Sequence, residues 1–125
     1  RTTYPVFAAQ IEVAALLQAA SRGVAKYKPA AQYPATSRDI ACVAPAGLNW
    51  GDVVEFIRRK KLQDLESIRL FDIFEDDALK AKQQKSLAFS LTFRNSGRTL
   101  KDNEVNAAVD KLRNALANEL KVELR

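Results

Sequence analysis

Apolar and polar positions follow two rhythms along this chain, and the switches between them mark out its elements. From Ser86 to Arg94 the apolar residues Leu87, Phe89, Leu91 and Phe93 alternate strictly with Ser86, Ala88, Ser90, Thr92 and Arg94. That period of two predicts a strand with one apolar face. From about Asp102 to Leu120 the period lengthens: Val105, Ala108, Val109, Leu112, Ala115, Leu116 and Leu120 form one stripe of a helix. Asn49 is placed to cap a second helix, whose Trp50, Val53, Val54 and Ile57 follow i, i+3, i+4, i+7 spacing. It ends in the basic cluster Arg58-Arg59-Lys60-Lys61. Asp39 to Val43 and Glu66 to Phe74 read as further strands, and Val122 to Leu124 as a short last one.

The order is β-α-β-β-α-β, an α+β arrangement of the ferredoxin-like kind. Both helices have one apolar stripe, so the economical packing places them on one side of a four-stranded antiparallel sheet. The other face is then uncovered. The strand at Glu66 to Phe74 breaks phase: Ile68 and Leu70 share one face, whereas Phe71 and Ile73 share the other. A β-bulge near Leu70 resolves this by turning Phe71 and Ile73 inward and Asp72 and Phe74 outward. The same logic buries Ile40 and Cys42 and exposes Ala41. In this topology the first and third strands are neighbours and the second lies beyond the third. Ala41, Asp72, Phe74 and Ser86 therefore converge on one open patch. An aromatic ring beside a carboxylate and a small hydroxyl suits a flipped-out nucleobase: the ring stacks, and the carboxylate accepts from an N–H edge. An edge aromatic covered by a loop accounts for the same pattern.

Residues 1–34 differ in character, with an alanine-rich segment (Phe7 to Ala20) and a proline- and lysine-bearing connector. They read as an N-terminal extension to a domain at 35–125. The absence of methionine and the start at Arg1 read as a piece of a longer polypeptide.

Composition narrows the chemistry. There is no histidine, which removes the commonest general base and transition-metal ligand. The one cysteine, Cys42, lies in an apolar run and reads as an inert buried thiol. The run Glu75-Asp76-Asp77 lacks the alternating ligands and turn glycine of a calcium loop and reads as a solvated loop. No metal site is expected. An acyl-transfer enzyme on this fold is disfavoured, because no nucleophile–base pair is present. No apolar run approaches the ~18 residues of a membrane span, so a cytoplasmic protein is expected. A net charge of +5 is compatible with a polyanionic partner. The Arg58, Arg59, Lys60, Lys61 cluster is a candidate set of phosphate contacts, although basic residues at a helix C-terminus also answer its dipole.

Longer stretches add a resemblance. "YPATSRDIACV" (Tyr33 to Val43), "LESIRLFDIF" (Leu65 to Phe74) and "KSLAFSLTFRNSGRTLKDNEVNAAV" (Lys85 to Val109) resemble "[FY]PAVRRDLALVV", "LESVELFDVY" and "KSLAFRLTFRSPDRTLTDEEVNAAV". These belong to the ferredoxin-fold anticodon-binding domain of bacterial phenylalanyl-tRNA synthetase β subunits. The ending "ELKVELR" is similar to that family's "LGAELR", and "KYKP" to the segment leading into the domain. The resemblance implies that the domain holds the anticodon of tRNA(Phe). Aminoacylation with phenylalanine, ATP and Mg2+ then falls to the α subunit, and this fragment carries no cofactor or catalytic residue. Position by position, the family's anticodon contacts fall on Ala41, Asp72, Phe74 and Ser86. Phe74 stands where tyrosine is common. Ser37-Arg38 replaces paired arginines, which leaves Arg38 as the possible phosphate contact of that pair, and an acidic segment replaces a glycine-bearing loop. The rival expectation is a free-standing ferredoxin-like protein-interaction module.

Overall fold

From residue 31 onward, alternation and stripe become strand and helix where the sequence places them, with one addition. The computed structural model describes residues 4–21, 23, 26–27 and 29–125. In chain order the elements are α1 (Val13–Ser21), β1 (Thr36–Pro45), α2 (Trp50–Arg59), β2 (Leu65–Phe74), α3 (Asp77–Ala81), β3 (Gln84–Phe93), α4 (Asp102–Glu119) and β4 (Glu123–Leu124). The chain divides into two compact units, Arg1–Ala30 and Ala31–Arg125. The first contains α1, none of whose residues is buried. Val24, Ala25 and Lys28 of the connector lie outside the described residues.

In the second unit the sheet order is β2-β3-β1-β4, with every neighbouring pair antiparallel. Phe89 and Leu91 of β3 are fully buried, and Leu87 and Phe93 nearly so. They share one cluster with Ile40, Cys42 and Ala44 of β1, Val53, Phe56 and Ile57 of α2, and Val105, Val109, Leu112 and Leu116 of α4. Both long helices thus cover one face of the sheet. The Trp50 and Phe89 rings meet at 5.3 Å between centroids and tilt by 52°, a geometry in which ring edge and face attract. On α2 the buried stripe runs through Phe56, whereas Val54 is only half-buried.

Local chemistry sets the helix starts. Asp52 accepts from the Asn49 backbone N–H at 3.3 Å, which satisfies a donor at the first turn of α2. Glu104 does the same for Lys101 at 3.1 Å on α4. It also accepts from both terminal nitrogens of the Arg98 guanidinium, at 2.8 and 2.9 Å. These donors favour the charged carboxylate, and they lower the Glu104 pKa from its ordinary 4.5 to about 2. A carboxyl lowered on folding contributes stability that is present above its ordinary pKa and lost as pH falls through its folded value. The clip from Arg98 to α4 is therefore expected to release between about pH 4.5 and 2. An NMR titration of the Glu104 carboxyl should show a midpoint near 2, returning toward 4.5 in Arg98→Ala. A wild-type midpoint near 4.5 would contradict the clip.

The addition is α3. The acidic run expected to be a solvated loop instead starts a helix: the Asp76 carboxylate accepts from the Leu79 N–H at 2.7 Å, an N-cap, and Asp77 opens the first turn. Leu79 is buried yet lies outside the main core.

Candidate functional site

Register decides what meets on the face away from the long helices, because directly paired residues project from the same side of a sheet. Ala41 pairs with Ala88, and Ala88 with Asp72. In the next row Val43 pairs with Ser86, and Ser86 with Phe74. Ala41, Asp72, Phe74 and Ser86 thus occupy two consecutive rows of one face.

The bulge produces this. Leu70 pairs with Phe89 on the helix side, and the ladder then skips Phe71 and resumes with Asp72 opposite Ala88. Without the extra residue, Asp72 would take the helix-side phase and Phe74 with it. The expectation for Phe71 and Ile73 needs correcting. Phe71 is the unpaired residue of the bulge and is 55% exposed. Ile73 does take the helix-side phase, paired with Leu87, but it stays 51% exposed. β2 is an edge strand, and its last residues stay exposed on the helix side as well. Inward phase there does not bring burial.

The open face also departs from expectation at one end. Val43 and Ser86 are buried although their row lies away from the main core. α3, which contacts β3 and contributes buried Leu79, closes this end. The patch is thus graded: Ser86 is 9% exposed, Ala41 and Ala88 are half-buried, Phe74 is 52% exposed and Asp72 is exposed. The half-exposed Phe74 ring offers a flat apolar surface, and Asp72 presents acceptors one row away. That pairing can stack a planar ring and accept from its N–H groups.

The expected phosphate contacts do not join the patch. Arg38 pairs with Leu91, on the helix side. Its guanidinium donates to Asp102 at 2.7 Å, to Asn106 at 2.9 Å and to the Ser37 carbonyl at 2.9 Å, tying β1 to α4. Arg58, Arg59, Lys60 and Lys61 lie at the C-terminal end of α2, also on the helix side. Arg59 pairs with Glu55 at 3.3 Å. Lys60 pairs with Glu119 of α4, with its Nζ 4.8 Å from the centre of the Phe56 ring. Lys60 and Lys61 line a cleft of about 350 Å³ with Arg98, Leu100 and Lys111. Their placement supports helix packing and capping rather than contact with whatever occupies the open face.

Sequence reasoning overlooked Arg69. It pairs with Ser90, which pairs with Asp39, in the open-face row next to Asp72. The bulge itself carries the signal: with Asp72 and Phe74 turned outward, the residues before Leu70 take the opposite parity, and Ser67 and Arg69 join them on the open face.

The buried Cys42 thiol has its pKa raised by desolvation, which makes it a poor nucleophile. Among the described residues no group of three or more histidine, cysteine, aspartate or glutamate side chains could hold a metal ion. None of their helices is long and apolar enough to cross a membrane.

Comparison with known proteins adds an independent line. A family model described as the ferredoxin-fold anticodon binding domain matches residues 31–125. The phenylalanine–tRNA ligase β subunit of Synechococcus sp. (strain JA-2-3B'a(2-13)) is 37% identical over 121 residues, 96% of this chain and 14% of that protein. That of Trichormus variabilis is 37% identical over 123 residues, 96% of this chain and 15% of its own length. The Campylobacter jejuni (strain RM1221) subunit is 38% identical over 98 residues, 78% of this chain and 12% of that protein. The chain therefore spans about one seventh of the length of these relatives.

Proposed function

Because the chain belongs to the ferredoxin-fold anticodon-binding domain family, we propose that its open sheet face holds the anticodon of tRNA(Phe) within a phenylalanine–tRNA ligase β subunit. Phe74 stacks on a base, Asp72 accepts from a base N–H, and Ala41 and Ser86 shape the space beside them. The domain positions the tRNA, while an α subunit performs the aminoacylation with ATP and Mg2+ in the cytoplasm. No residue of this chain takes part in that chemistry.

The observation that carries this reading is the pair of rows Ala41–Ala88–Asp72 and Val43–Ser86–Phe74, which groups the residues matching the family's anticodon contacts. The absence of histidine agrees with a binding rather than a catalytic role.

Filter binding tests it. The chain is expected to bind a phenylalanine-tRNA anticodon stem-loop with an affinity that falls as salt rises, at roughly micromolar Kd or weaker because the rest of the ligase contributes further contacts. Equal binding to an unrelated stem-loop, or none at low salt, would refute the reading and leave the protein-interaction module in its place.

A further inference from the structure

Beyond the two rows of the anticodon patch, the open face continues for two more. Asp39, Ser90 and Arg69 form one, and Ser37, Thr92 and Ser67 the other, where the Ser37 and Thr92 hydroxyls lie 3.2 Å apart. Arg69, Ser67, Asp39 and Ser37 are exposed, and Ser90 and Thr92 are half-buried. A ladder of hydroxyls around one guanidinium is a donor-rich surface, and RNA backbones present acceptors.

Arg69 differs from the other arginines near the sheet. Arg38, Arg94 and Arg98 each form an ion pair with a named carboxylate, whereas among the described residues the Arg69 guanidinium forms none. Asp39 and Asp72 share its face, yet neither lies within ion-pair distance. Arg69 is also the one cation in the paired rows of β2 and β3 on this face, and the nearest other, Arg125, lies at the opposite edge, where its backbone N–H donates to the Ala41 carbonyl at 2.9 Å. The other rows contribute Ala41, Ala88, Asp72, Val43, Ser86, Phe74 and, through β4, Glu123. A polyanion on a face that also carries Asp39, Asp72 and Glu123 needs a positive counterpart there, and the helix-side cluster cannot supply it through the sheet.

Spacing fits the role. Same-face neighbours on a strand are about 6.7 Å apart, so Arg69 lies about 13 Å along β2 from Phe74. With a side chain that reaches several ångströms, it meets the nucleotide next to the one stacked on the ring. A guanidinium presents two parallel N–H donors that match phosphate oxygens.

We propose that Arg69 is the phosphate-binding residue of the open face and that the RNA backbone beside the stacked base runs over the Ser90 and Thr92 rows. The proposal rests on the anticodon-binding reading and adds to it a direction, away from the end closed by α3, and a charge contact.

The test uses the full chain, with Arg69→Gln and Arg69→Lys titrated against the phenylalanine-tRNA anticodon stem-loop over a salt series. Arg69 is exposed, so both variants should keep the wild-type melting transition. Arg69→Gln is expected to weaken binding about tenfold at low salt. Its plot of log affinity against log salt should be shallower by about one phosphate contact, a slope change of about 0.7 to 0.9. Arg69→Lys should keep the wild-type slope. An unchanged slope in Arg69→Gln, in a chain whose wild type binds and whose Phe74→Ala variant binds more weakly, overturns the assignment of Arg69 alone. A wild type that binds no stem-loop overturns both readings.

Discussion

Phe89→Ala is expected to lower the unfolding free energy by about 3–5 kcal/mol, the range for emptying a large aromatic site in a packed core. Phe89 is fully buried, lies in register with Ile40 and Leu70, and meets the Trp50 ring. Removing its ring takes contacts from β1, β2 and α2 together, so no single element can relax into the space. Domains of this kind are stable by only about 5–15 kcal/mol in total. The loss should appear in urea titration as a lower midpoint with an unchanged slope. A loss under about 1 kcal/mol would mean that the helices close over the cavity and that packing on this face is loose. Phe71→Ala is the natural control: same residue type, same sheet, but 55% exposed at the bulge.

Phe74→Ala is expected to do the reverse, leaving stability near wild type while weakening stem-loop binding by about 1–3 kcal/mol. Phe74 is 52% exposed and on the open face, so the ring contributes little to the core that Phe89 anchors. If the ring stacks on a base, its removal raises Kd about fivefold or more at constant salt. An unchanged Kd would refute the stacking role while leaving the fold as described.

These two phenylalanines show how far the sequence could be read. Phe89 was legible as core because its whole strand keeps a strict period of two, and periodicity is a direct record of which face is buried. Phe74 was legible because β2 breaks that period, and a bulge is the cheapest way for a strand to satisfy two phases. What periodicity could not show is how far the covering layer extends. Ile73 has the inward phase but stays exposed on the edge strand. Ser86 has the outward phase but is closed in by α3. That helix has five residues, too few for a stripe, and its signal was Asp76 as a cap, hidden within an acidic run. Arg38 misled for a similar reason. A basic residue beside a base-binding motif suggests phosphate, and only the register shows that its side chain belongs to α4's side of the sheet.

The unpaired residue at Phe71 gives β2 a parity. Each substitution along this strand changes one contact, but loss of one residue between Leu70 and Asp72 would exchange the faces of everything after it, sending the carboxylate and the ring toward the helices and Ile73 to the open side. Length here is therefore constrained more tightly than identity. A variant of this domain can drift in the side chain at position 71 and keep its face, but it cannot lose that position without a compensating insertion before Phe74.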